Sequence, residues 1–154
     1  MNQSSTPPST AAGNDTPTAT LAVTISQFAP IGSGKITFNL VMQGATPTGI
    51  FSFSNNKLTI SASKGQKVHV VFSLTGSAYV LIGVALKGTP GHVGRGQFPH
   101  VDIQRSTSGS TMCVTDVAPS TDGTTTFTYD LVIQETQQGQ LGLIDPGIET
   151  DVEN

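Results

Sequence analysis

Charge is scarce in this chain of 154 residues. Asp, Glu, Lys and Arg make up 11% of it, against ~25% in ordinary soluble proteins. The five Lys and two Arg are scattered, and the net charge is -3. Nucleic-acid binding needs clustered cations that displace counterions from phosphates, so that class is set aside. A single cysteine, Cys113, excludes an internal disulfide. The absence of a CxxC or Cys/His cluster argues against structural zinc. Tryptophan is missing altogether, and two Tyr and seven Phe fall mostly at inward positions, which counts against an aromatic carbohydrate platform. Long apolar runs are missing too. The longest, "YVLIGVAL" (79–86), is broken by Gly83 and is far too short to span a bilayer. The first twenty residues carry no Lys, no Arg and no apolar stretch, unlike a signal peptide. The expected location is therefore cytoplasmic, with no membrane partner.

Thr, Ser and Gly fill the space that charge leaves. Residues 1–20 are Ser, Thr, Pro, Ala, Asn and Gln with one charge, Asp15. Such a segment buries too little apolar area to offset its ordering entropy and reads as a flexible tail. From residue 21 to 154 the chain reads as one domain with a period of two. Leu21, Val23 and Ile25 alternate with Ala22, Thr24 and Ser26. Ile36, Phe38, Leu40 and Met42 alternate with Thr37, Asn39, Val41 and Gln43. Val68, Val70, Phe72 and Leu74 share a face opposite Lys67, His69, Val71 and Ser73. Phe127, Tyr129, Leu131 and Ile133 repeat the pattern late in the chain. "YVLIGVALK" is apolar throughout, as in a strand buried on both faces. Asn55-Asn56 tolerates positive φ and marks a tight hairpin turn. "GQLGLID" reads as the last short strand. Some eight to ten short strands, with turn signals between them and no 3.6-residue stripe, point to a single antiparallel immunoglobulin-like β-sandwich. Its antibody-type core pin is absent, and Tyr129 is a candidate for a tyrosine corner.

Candidate chemistry concentrates in "GTPGHVGRGQFPHVD" (88–102), a Gly/Pro-rich connection between strands. His92, Arg95, His100 and Asp102 in it are of the right types for an anion or a divalent metal. No spacing fixes them together, and "GHVGRG" lacks the Lys-Ser/Thr ending of a phosphate loop. A solvated connector explains the same residues. Cys113, in "TMCVTD", shares a face with Thr111 and Thr115. It reads as a buried structural thiol, since no His or Met follows at copper-site spacing. His69 reads as an exposed strand residue beside Lys67. Asp145, Glu149, Asp151 and Glu153 supply carboxylates near the C-terminus without an EF-hand pattern, as acids that solvate an end do.

The last segment, "FTYDLVIQETQQGQLGLIDPGIETDVEN", is the most distinctive. Two strands and a turn run into Asp145-Pro146, where Asp can close an Asx turn and Pro removes a donor and ends the strand. This segment resembles the C-terminal hairpin of the DP-EP family of small bacterial proteins. More distantly, it is similar to the "DPxI" ending of inclusion-body proteins of the AidA/PixA type. Both resemblances imply a β-sandwich, immunoglobulin-like in the first case, and neither implies catalytic residues. The expectation is a non-enzymatic module with no cofactor that works by protein interaction or homo-oligomerisation through sheet faces or edges. Val71 and Val132 stand out on otherwise polar faces. The alternative is a small-ligand, carbohydrate or metal-binding module that uses residues 88–102.

Overall fold

The computed structural model describes residues 15–87, 97–118, 123–124 and 128–153. The described chain is all-β: twelve strands and a single 3-10 turn at Thr48–Ile50. Among the described residues, no helix is long and apolar enough to cross a membrane.

The first sheet has five strands: β1 (Thr18–Gln27), β2 (Thr37–Thr46), β5 (Lys67–Thr75), β7 (His100–Ser106) and β8 (Gly109–Val117), in the order β2-β1-β5-β8-β7. The second has four: β3 (Phe51–Ser54), β4 (Lys57–Ser63), β9 (Gly123–Thr124) and β12 (Ile148–Glu153), in the order β3-β4-β12-β9. The third has three: β6 (Tyr79–Lys87), β10 (Thr128–Glu135) and β11 (Leu141–Ile144), in the order β11-β10-β6. The period-two pattern decides which side faces inward. Val68, Val70, Phe72 and Leu74 of β5 are all buried, as are Met112 and Val114 of β8 and Leu131 and Ile133 of β10. Side chains from all three sheets merge into one hydrophobic cluster. Phe72 meets Tyr129 edge to face, with centroids 6.1 Å apart, joining the five-stranded and three-stranded sheets.

The hairpin between β3 and β4 turns on Asn55 (φ 52°) and Asn56 (φ 60°), with Ser54 opposite Lys57. Two consecutive positive φ angles define the type I′ turn, whose twist matches that of the flanking strands. This is the turn that the Asn-Asn pair implied.

Several expectations are corrected. The sheets are not purely antiparallel: β1 pairs with β5, and β12 with β4, in parallel. β1 begins at Thr18, inside the segment read as tail, and the Pro17 carbonyl accepts a 2.8 Å hydrogen bond from the His69 N–H. Residues 1–14 lie outside the described residues. "GQLGLID" is not the final strand, because β12 follows it and lies between β4 and β9. β6 is not buried on both faces. It is an edge strand in which only Leu81 is fully buried. Its outward N–H at Leu81 is taken up by the Ser110 hydroxyl at 3.0 Å. Tyr129 is buried, but among the described residues its hydroxyl has no hydrogen-bond partner and forms no tyrosine corner.

Tight packing at β11 yields the first testable consequence. A Cβ on Gly142 would stand 2.5 Å from the Ile36 side chain and 2.9 Å from both the Phe28 ring and the Ala29 carbonyl oxygen. The carbonyl is backbone and cannot rotate away. Gly142→Ala is expected to destabilise the fold by about 1–3 kcal/mol, the usual cost of overpacking. Urea unfolding measures this as a lower midpoint at unchanged slope, and an unaltered midpoint refutes the packing account.

Candidate functional site

The five-stranded sheet has an outer face set by register. Thr18, His69, Thr115 and His100 stand opposite one another across β1, β5, β8 and β7. The next row is Thr20, Val71, Cys113 and Asp102, and the one after it is Ala22, Ser73, Thr111 and Gln104. Residues far apart in sequence thus meet: Asp102 lies directly across from Cys113, and both histidines flank Thr115. Of the four candidates in the Gly/Pro-rich stretch, His92 and Arg95 lie outside the described residues. His100 and Asp102 are not on a loop. They sit two residues apart on edge strand β7 and point to the same side.

This face does not form a metal centre among the described residues. His69 and His100 are two strands apart, with Thr115 between them. Nor is Cys113 an activated nucleophile. Burial, and then the Asp102 carboxylate, push its thiol above the ordinary value. A nucleophilic cysteine needs the opposite shift. Cys113 is half-buried rather than fully enclosed. A cleft of about 360 Å³ opens at the end of this sheet, between Ser73, Thr75, Gln104, Arg105, Ser108 and Thr111.

The C-terminal acids do not merely solvate an end. Glu149 pairs with Lys57. Asp145 accepts from Lys87 at 3.0 Å, and the same ammonium lies 2.8 Å from Asp130. Asp145 also accepts from the Gly147 N–H at 3.2 Å, closing the Asx turn expected at Asp145-Pro146. Burial opposes ionisation of Asp145, but the Lys87 and Gly147 hydrogen bonds and the Lys35 charge hold its carboxyl below the usual range. Lys87, Asp130 and Asp145 rim a second cleft, of about 460 Å³, whose apolar wall includes Ile31, Ile36 and Leu143.

Two features escaped the sequence reading. The first is the outer edge of β2, which among the described residues pairs with β1 alone. "TFNLVMQGAT" is ten residues with no charge, it ends the five-stranded sheet, and Val41 at its middle is 51% exposed. The second is a buried polar cluster formed by Gln97, Asp116 and Thr150. Alternation carried the signal for it. Asp116 shares parity with the inward Met112 and Val114, and Thr150 with the inward Ile148 and Val152.

No protein-family model matches this chain, and no curated protein matches it.

The Cys113 environment is testable by alkylation. The rate of iodoacetamide labelling in the folded protein should rise with pH at a midpoint above that of the urea-unfolded chain. Asp102→Asn should lower the midpoint part of the way, because burial remains. The folded thiol holds its proton more tightly than the unfolded one, so this group's contribution is lost as pH rises above the unfolded thiol's value. A midpoint below that of the unfolded chain contradicts the assignment.

Proposed function

We propose that this protein is a non-enzymatic β-sandwich module of the immunoglobulin-like, DP-EP kind, and that it works by self-association through the outer edge of β2, which pairs with β1 alone among the described residues. The sandwich reading draws support from the single core shared by three sheets and from the edge-to-face contact of Phe72 with Tyr129 across two of them. The family reading draws support from the Asx turn at Asp145-Pro146.

The observation that carries self-association is the contrast between sheet edges. Unpaired N–H and C=O groups invite another strand, and proteins blunt them with charge, brevity or cover. β7 carries Asp102 and Arg105, while β3, β9 and β11 have four residues or fewer. β6 has its Leu81 N–H taken up by Ser110 and carries Lys87 at its end. β2 has ten residues and no charge. Its bulge at Gln43, between the Gly44 and Met42 pairings, leaves the ladder from Phe38 to Met42 regular. Two copies of β2 meeting antiparallel about a two-fold axis present the same surface to each other. Val41, near the strand's middle, then approaches its own counterpart, and no like charges oppose each other along the strand. The surrounding Thr, Asn and Gln cost little to desolvate compared with Lys or Glu.

Native mass spectrometry and sedimentation at micromolar concentration test this reading. The protein should be a dimer. Val41→Lys, which places two ammonium groups face to face at the axis, should weaken the dimer by about tenfold or more while leaving the circular dichroism spectrum unchanged. A protein that stays monomeric at high micromolar concentration, or a dimer indifferent to Val41→Lys, rules out the β2 edge.

A further inference from the structure

The buried cluster of Gln97, Asp116 and Thr150 contains the parts of an acyl-transfer reaction. Asp116 sits on the inward face of β8, opposite Val68, and is 1% exposed. Thr150, on β12 of the neighbouring sheet, is 2% exposed, and its hydroxyl donates to Asp116 Oδ2 at 2.7 Å. Gln97, 5% exposed, comes from the segment leading into β7. Its backbone carbonyl oxygen accepts from the Val117 N–H at 2.7 Å, which fixes the residue beside Asp116. The Gln97 carboxamide nitrogen lies 3.5 Å from Thr150 Oγ1, and the carboxamide also hydrogen-bonds the Asp116 carboxylate. The amide carbon is one bond beyond that nitrogen.

The arrangement is a nucleophile, a base and an acyl group held together away from water. A hydroxyl donating to a carboxylate at 2.7 Å is within general-base range. Burial pushes the Asp116 carboxyl up, against the hydrogen bonds from Thr150 and Gln97, and so strengthens it as a proton acceptor. Among the described residues Asp116 Oδ1 has no hydrogen-bond partner, which leaves the carboxylate free to turn between the hydroxyl and the departing nitrogen. Tyr129 belongs to the same layer. Its ring centroid is 4.9 Å from that of Phe98, the residue after Gln97. Burial, then the Asp116 charge, keep its unpartnered hydroxyl protonated. Nearly complete burial of all three reacting groups removes water as a competing nucleophile, and fixed proximity replaces a bimolecular encounter.

We propose that Thr150 and Gln97 form an intramolecular ester that ties β12 of one sheet to the entrance of β7 in another. Thr150 Oγ1 attacks the Gln97 side-chain carbonyl carbon as Asp116 accepts the hydroxyl proton. The tetrahedral intermediate collapses, the carbon–nitrogen bond breaks, and Asp116 returns the proton to the leaving nitrogen. One ammonia departs, Asp116 is regenerated, and no oxidant, metal or cofactor is consumed. The bond closes a chain separation of 53 residues. It does for this chain what a disulfide cannot, because Cys113 has no second cysteine to join.

Mass spectrometry of the intact, denatured protein tests this without any variant. The chain should weigh about 17 Da less than its sequence requires, the mass of one ammonia. Trypsin locates the bond, since no Lys or Arg follows Arg105. Complete digestion yields peptides 96–105 and 106–154, which the ester keeps joined and alkaline hydroxylamine separates. Thr150→Ala and Asp116→Asn should each restore the full mass and release the two peptides. A wild-type chain at full sequence mass overturns the proposal. So does a chain lighter by one ammonia whose two peptides separate without hydroxylamine, since the ammonia was then lost elsewhere.

Discussion

The fold hangs on β5. It lies in the middle of the five-stranded sheet, with β1 parallel on one side and β8 antiparallel on the other. Its four inward side chains, Val68, Val70, Phe72 and Leu74, are all buried. A slip of one residue in either pairing would turn this apolar set outward. Burial therefore fixes the register, and the register fixes everything on the opposite face. Cys113 faces Asp102, and Thr115 lies between two histidines, because Val114 and Met112 must point inward. The same strand reaches the third sheet through Phe72 and Tyr129. The polar outer face is thus arranged by the apolar inner one.

This division explains what the sequence disclosed. Alternation is local, so the strands, their inward residues and the Asn55-Asn56 turn could be read directly. Pairing is not local. Nothing near Asp102 announces Cys113, and nothing in Thr18–Gln27 says that one neighbour will be parallel. β6 was misread because an apolar run has the same composition whether it is buried on both faces or sits half-buried at an edge. What separates the two cases is the Ser110 hydroxyl that caps the Leu81 N–H, 29 residues away. β12 was missed because its acids suggested a solvated end. Glu149 instead finds Lys57 on the adjacent strand, and the alternate residues Ile148, Thr150 and Val152 turn inward. Asp116 and Thr150 escape a reading by sequence, although each shares parity with inward apolar neighbours once β8 and β12 are placed, a local conflict of the kind that often marks a site.

Scarce charge acquires a second meaning once it is placed. The few ions are concentrated where strands need fixing: Lys57 with Glu149 beside the parallel β4–β12 ladder, and Lys87 between Asp130 and Asp145. β7 carries its own at one edge of the large sheet. β2, at the other edge, has none. The surface is therefore asymmetric, with one edge defended by charge and one that is uncharged. Inside, the position of Asp116 is unusual for the same reason. The groups bonded to it are a hydroxyl and a carboxamide, both neutral. Burying a carboxylate against neutral partners is costly unless its hydrogen bonds are good, and among the described residues one oxygen is left without any. An apolar residue at this inward position would pack with Val68 and Val114 at no such cost. A carboxylate retained there, with a hydroxyl at 2.7 Å and a carboxamide beside it, fits a reacting centre better than a structural one.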